Sequence, residues 1–280
     1  MKSLKAAGLV LSGGRKNSFF LSILECYPDS KRWFLRSILQ AKEGSGDEAL
    51  IGWIEEFGIE NLTVDFPLSR PPCGHCDLAC PGMNVCPQEE VILAQERVGL
   101  LLQEGALSTR SKAFRRKMKK GFLPYWNRSL DTWVWENYGD PLFRHFNGVF
   151  GSFDHSSFML LSYFDYLRRH FPKNLSCLET SPRLCLIELL RGKIISSRQL
   201  CPPKEMEMEA QMRVGIAAAV EEKLDIFIYD RDLDLMTKNP RAFNSFILAL
   251  AGQRAVLGKT REIPNWCGIH SPNFVVPLFS

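Results

Sequence analysis

The sequence has no long apolar run, no internal repeat and no low-complexity tract. Its 280 residues contain no stretch near the roughly 20 apolar residues that a membrane-spanning helix requires. Hydrophobic residues make up 45% and charged residues 24% of the chain, which is typical of a globular protein and excludes a disordered, collagen-like or coiled-coil architecture. A chain of this length can bury a sizeable core without disulfides.

The amino-terminal residues also lack a secretory signal. Met1–Lys5 leads into a short segment with neither an h-region nor a cleavage site, so we expect a cytoplasmic protein without a membrane partner. The net charge of +4 is too small to imply nucleic-acid binding by itself. The positions of the cations and of the nine cysteines are more informative than their totals.

Apolar and aromatic runs separated by turn signals predict an α/β architecture. Three strands in a meander, a helix and a fourth strand open the chain, although the third run also suits a helical turn. Alternation of helices and strands resumes after about residue 154. The predicted strands are 6–12, 18–26, 31–39, 61–67 and 175–180, and the predicted helices are 46–57, 156–170, 182–190, 204–222 and 240–256.

Residues 69–154 interrupt this alternation. They contain a cysteine cluster, a helical pattern at Glu89–Gln103, a basic run and several aromatic residues. We interpret the range as an insertion or subdomain within one domain that spans residues 1–280.

Three short motifs accompany the order of elements: Asp65 in VDFPLSRPP, Glu179 in CLETSP, and the helix RAFNSFILALAG. With them, residues 6 to 278 resemble an uncharacterised bacterial and archaeal family of predicted nucleases with an RNase H-like fold. The resemblance implies a mixed sheet, three antiparallel strands followed by parallel strands, flanked by helices. It also implies carboxylates at strand ends that hold Mg²⁺ or Mn²⁺ for phosphodiester hydrolysis in nucleic acid.

The chain departs from the pattern of that family at two of its four carboxylates. Ser12 and Asn244 stand where Asp is expected, while Asp65 and Glu179 keep the other two positions. Neutral oxygens cannot replace the charge that two dications require. The resemblance therefore implies either a metal-dependent nuclease whose activity is weakened or lost, or a non-catalytic module that binds nucleic acid or protein. The choice between DNA and RNA stays open.

The cysteine cluster is the most specific local signal. Two thiolates separated by two residues can hold an ion from a turn, and two more complete the tetrahedron that structural Zn²⁺ prefers, with His75 as an alternative ligand. We predict a structural zinc ion that stabilises the insertion. An iron–sulfur cluster, redox-active thiols and free packed thiols are the alternatives. The predicted ligands are Cys73, Cys76, Cys80 and Cys86.

A basic segment without acidic residues covers residues 110–120. On a helix, most of its cations share one face, which would suit a phosphate backbone. A solvated helix face is the alternative. The aromatic residues that follow could stack on bases, but more often such residues form a small core. The predicted nucleic-acid-binding residues are Arg110, Lys112, Arg115, Arg116 and Lys119.

Overall fold

A computed structural model describes residues 3–11, 19–27, 29, 32–41, 46–103, 121–146, 151, 157–200, 206–269 and 271–279. The chain divides into two compact units. Unit 1 contains residues 1–66, 158–261 and 273–280, and unit 2 contains residues 67–157 and 262–272. The range 69–154 falls inside the first stretch of unit 2. The sequence patterns did not indicate the second stretch.

Unit 1 is built on a six-stranded mixed sheet with the strand order β5-β4-β1-β2-β3-β6. Strands β1 to β3 pair in antiparallel fashion, β4 is parallel to β1, β5 to β4, and β6 to β3. The predicted mixed α/β sheet, antiparallel and then parallel, is confirmed at this level, and β6 is an addition. The strands are β1 (Leu4–Leu11), β2 (Phe19–Cys26), β3 (Trp33–Gln40), β4 (Asn61–Val64), β5 (Ser176–Glu179) and β6 (Ile226–Phe227).

Helices occur in both units, and among the described residues none is long and apolar enough to cross a membrane. The helix predicted from Pro240 to Val256 has those bounds in the structure. The helices are α1 (Gly46–Glu56), α2 (Glu89–Gln103), α3 (Ser129–Phe146), α4 (Ser157–Leu167), α5 (Pro182–Arg191), α6 (Met206–Leu224), α7 (Asp230–Lys238), α8 (Pro240–Val256) and α9 (Asn265–Gly268).

Helix α8 packs directly on the centre of the sheet. Every residue of β2 is buried, as expected for a strand covered on both faces. Gly8 allows the close approach, because a Cβ atom there would lie 2.1 Å from the carbonyl oxygen of Ser245. The hydroxyl groups of Ser22 and Ser245 share a buried hydrogen bond of 2.6 Å. Gly8 therefore lets the backbone of α8 at Ser245 and Ala249 lie directly against β1.

Unit 2 has a hydrophobic core of its own between α2 and α3. Buried members include Val91, Val98, Phe122 and Trp135, and Cys86 packs against them. Trp133 is also buried. Both tryptophans therefore belong to a hydrophobic core, which was the alternative to stacking on bases.

Candidate functional site

Asp65 and Glu179 lie at the carboxyl ends of neighbouring parallel strands. Val64, the last residue of β4, is in register with Glu179, the last residue of β5. The next amide of the chain continues this pairing, since Thr180 N–H donates to the Val64 carbonyl at 3.0 Å. Two carboxylates that are 114 positions apart in the sequence are thus brought to one edge of the sheet.

Their side chains have different surroundings. Asp65 follows β4 in a bend and its side chain is exposed, whereas Glu179 is only 4% exposed. Glu179 is in register with Val64 and not with Asp65, and successive side chains of a strand point to opposite faces.

The Asp65 carboxyl has an unusual protonation equilibrium. Desolvation by the surrounding protein raises the pKa of Asp65 to about 6, although a hydrogen bond from its own backbone opposes part of this rise. A raised pKa means that the neutral form of the Asp65 carboxyl persists to a higher pH than in an ordinary aspartate.

The backbone holds Glu179 from both sides. On one side β4 pairs with β5, and on the other the Glu179 N–H donates to the carbonyl of Asn273 at 2.8 Å. The Val275 N–H donates in turn to the Glu179 carbonyl at 2.8 Å. Residues 273–275 thus cover the end of an edge strand and keep Glu179 buried.

Asn244 belongs to α8, the helix that packs on the centre of the sheet. The residue after it, Ser245, contacts Gly8 and Ser22, while Gly252 lies against Thr63 and Ala6. Helix α8 therefore crosses the sheet, with Ser245 over β1 and β2 and Gly252 over β1 and β4. Asn244 is half-buried, and because β1, β4 and β5 are parallel, the carboxyl ends of these three strands lie at one edge of the sheet. Ser12 directly follows β1 but is outside the described residues.

The buried acidic residue Glu25 lies at the opposite end of the sheet. Glu25 accepts hydrogen bonds from Arg36 and from Ser3, the latter at 2.8 Å, and Lys5 is 3.6 Å away. Burial alone would raise the pKa of Glu25, but the bonds from Arg36 and Ser3 outweigh it and lower the pKa. Because Glu25 faces Lys5 near the start of β1, it does not supply a further carboxylate to Asp65 and Glu179.

The predicted metal sites are wrong. Within the described part of the chain, no group of three or more His, Cys, Asp or Glu residues is arranged to hold a metal ion. This overturns the prediction of Zn²⁺ at Cys73, Cys76, Cys80 and Cys86. It equally overturns the prediction of Mg²⁺ or Mn²⁺ at the carboxylates.

The surroundings of the four thiols explain why they do not form a site. Cys73 and Cys80 are exposed, Cys86 packs against the core of unit 2, and the Cys76 sulfur accepts a 3.8 Å hydrogen bond from Gln88. Burial raises the pKa of Cys73, with smaller contributions from Cys80, Cys86 and Cys76.

The predicted nucleic-acid-binding residues Arg110, Lys112, Arg115, Arg116 and Lys119 are outside the described residues.

Comparison with known proteins gives no relative, since no family model, no curated protein and no solved structure matches the chain. Any functional assignment must therefore be argued from the residues of this chain.

Proposed function

We propose that this protein is a non-catalytic module with an RNase H-like fold that binds nucleic acid through its basic segment, residues 110–120. The strand order β5-β4-β1-β2-β3 supports the fold, because an antiparallel meander followed by parallel strands is the arrangement that the family resemblance implies. The short β6, parallel to β3, extends the sheet beyond that arrangement.

One observation supports the proposed absence of catalysis. The positions at which the resemblance implies metal-binding carboxylates have too little negative charge. Of the four positions where the resemblance implies a carboxylate, Asp65 and Glu179 carry one, whereas Ser12 and Asn244 are neutral. Hydrolysis by two metal ions needs charge stabilisation on both the attacking and the leaving oxygen. A site with at most two carboxylates, one of them buried in register with Val64, does not meet that need.

The distribution of charge supports an anionic partner. Seven Lys and Arg residues lie between Arg110 and Lys120, and no acidic residue interrupts them. The whole chain has a net charge of +4, so the remainder of the protein is net acidic. A concentrated positive segment on an otherwise acidic chain attracts a polyanion locally, and such binding weakens with added salt.

The binding test compares two triple variants by fluorescence anisotropy with labelled single-stranded DNA and RNA. Neutralising the basic segment with Arg115→Gln, Arg116→Gln and Lys119→Gln should weaken binding about tenfold or more. It should also reduce the slope of log affinity against log salt by about 0.7 per lost contact. The matched control changes three exposed cations of unit 1, Arg198, Arg241 and Lys259, to Gln and should bind as the unaltered protein does. Absence of binding at low salt would contradict the proposal and favour a protein partner.

The catalytic part is tested on the same oligonucleotides with Mg²⁺ or Mn²⁺ added. We expect no cleavage above the buffer background, with or without the ions. Ion-stimulated cleavage that Asp65→Asn abolishes would overturn the proposal and establish a nuclease. Cleavage that survives in Asp65→Asn and in Glu179→Gln would indicate a contaminating enzyme, which repeated purification would remove.

A further inference from the structure

A polar pocket opens beside the edge strand β5, within unit 1. It has a volume of about 380 Å³ and is built from residues 168–177 together with Asn273. Pockets for small molecules usually measure about 300–1,000 Å³, so this one can hold a phosphate group with the attached sugar and part of a base. We call it the basic pocket, because Arg168, Arg169 and Lys173 line it and no acidic residue does.

The charge of the basic pocket is only weakly neutralised by the protein. Asp165 is 3.7 Å from Arg168, and both side chains are exposed, so water screens their attraction. Within the described ranges, neither Arg169 nor Lys173 has an ion-pair partner. Three cations against one flanking carboxylate suit a dianion better than a single carboxylate group, and a phosphate monoester carries close to two negative charges at neutral pH.

The backbone around the basic pocket is fixed by local bonds. Phe171 N–H donates to the Arg168 carbonyl at 3.3 Å and Leu175 N–H donates to the Pro172 carbonyl at 3.0 Å. The buried ring of Phe171 packs edge-on against Phe164, with ring centroids 5.8 Å apart. Cations carried by such a segment need little backbone ordering when they bind, which lowers the entropic cost of association.

The remaining lining indicates binding rather than covalent chemistry. Phe171, Pro172 and Leu175 form an apolar wall that can contact a sugar or a base, while Ser176 and Asn273 offer hydrogen bonds. Burial raises the pKa of the half-buried Cys177 thiol to about 11, and nearby Arg168 opposes only part of this rise. A protonated thiol is a poor nucleophile, so Cys177 contributes to the wall and not to a reaction.

We propose that the basic pocket binds the phosphate monoester of a nucleotide, with Arg168, Arg169 and Lys173 on the phosphate and Pro172 and Leu175 against the attached group. The ligand is either a free nucleoside monophosphate or the phosphorylated end of an oligonucleotide, since both present the same group. This inference does not rest on the basic segment at residues 110–120 and stands or falls separately from it.

Titration calorimetry of the full chain at low salt tests the proposal with adenosine 5′-monophosphate, adenosine and inorganic phosphate. The monophosphate should bind at least tenfold more tightly than adenosine, and added salt should weaken it. The double variant Arg169→Glu with Lys173→Glu should lose at least tenfold in affinity. The control Arg198→Glu with Lys259→Glu makes the same change of charge on exposed side chains elsewhere in unit 1 and should keep full affinity.

Equal affinity for adenosine and its monophosphate, or unchanged affinity in the pocket variant, would overturn the proposal. Circular dichroism and the thermal midpoint check that the variants are folded. If the charge-reversal variant is unfolded, the double variant Arg169→Gln with Lys173→Gln takes its place. Comparing 5′-phosphorylated with 5′-hydroxyl oligonucleotides separates the two ligand sources, and a preference for the phosphorylated end assigns the pocket to termini. The triple variant of the basic segment should still bind the monophosphate, so failure of one proposal leaves the other testable.

Discussion

At the scale of single residues, Asp65 links the charge of the sheet edge to stability. Its folded-state pKa of about 6 exceeds the ordinary value of 3.8, so folding favours the protonated form. The contribution of Asp65 to the free energy of unfolding should therefore fall as pH rises from about 4 to about 6, and stay constant above that range. Asp65→Asn removes this dependence because an amide does not titrate.

We predict that Asp65→Asn raises the urea midpoint above pH 6 and changes it little at pH 4. The gain is on the order of 1 kcal/mol, since the exposure of the side chain screens much of what the pKa shift would otherwise represent. Asp29→Asn, a change at an exposed turn residue of unit 1, serves as the control and should follow the unaltered protein across the pH range. If Asp65→Asn changed the urea midpoint by the same amount at pH 4 and at pH 8, that result would contradict the raised pKa of Asp65.

The cysteines show how far single residues can be predicted from sequence. The spacing of Cys73, Cys76, Cys80 and Cys86 permits a tetrahedral site, but spacing alone does not say where each sulfur points. Cys73, in the 3₁₀ turn Pro72–Gly74, and Cys80 are exposed, whereas Cys86, which follows the turn Met83–Val85, packs against the core of unit 2. The direction of the side chains in a short turn depends on tertiary packing, and no local sequence motif indicates that direction.

At the scale of elements, the contact between β1 and α8 depends on a glycine. A Cβ atom at Gly8 would lie 2.1 Å from the Ser245 oxygen and 2.3 Å from the Ala249 nitrogen, both backbone atoms that cannot rotate away. We expect Gly8→Ala to destabilise unit 1 by about 3 kcal/mol or more, because the helix must move off the sheet. Gly52→Ala, in the interior of α1 with nothing within 4 Å, should instead stabilise by about 0.5–1 kcal/mol.

Chemical denaturation of the two variants, followed by circular dichroism, measures both effects. They should have opposite signs although the substitution is the same. Two variants of equal stability would show that α8 is not held against Gly8 as described.

Elements with strong local patterns were predictable, and those defined by distant partners were not. The alternating apolar runs gave strands close to β1, β2 and β4, and Pro240 marked the start of α8. Strand β6 has only two residues, Ile226 and Phe227, and exists because they pair with Trp33 and Phe34. So short a strand has no periodicity of its own. The predicted strand ends bring Asp65 and Glu179 to one edge, but the register, with Glu179 opposite Val64, depends on the pairing itself.

At the scale of the whole molecule, unit 2 combines residues 67–157 with the later stretch 262–272. Arg97 stacks over the ring of Trp266, with its guanidinium carbon 5.6 Å from the ring centroid, and so joins the two stretches within that unit. The sequence suggested an insertion with one beginning and one end, because a returning segment is visible only in three dimensions. We therefore attribute the stability of unit 2 to the packing of its hydrophobic core rather than to a metal ion bound by its cysteines.

This gives a prediction for the whole protein: removal of metal should not destabilise it. The core around Val91 and Trp135 is hydrophobic, and the described residues offer no metal-binding group that a chelator could empty. Adding EDTA or phenanthroline should leave the thermal midpoint unchanged, and elemental analysis should find zinc well below one ion per chain. A structural zinc ion contributes on the order of 10 kcal/mol, so its removal would be unmistakable.

Two cysteine substitutions make the same test without a chelator. Cys86→Ser should cost about 1 kcal/mol, because it places a hydroxyl against the hydrophobic core of unit 2, whereas Cys73→Ser at an exposed position should be nearly neutral. If the four thiols shared an ion, each substitution would remove a ligand and the two losses would be similar and large. Unequal, small losses in thermal or urea denaturation therefore support packing, and equal, large losses would restore the metal.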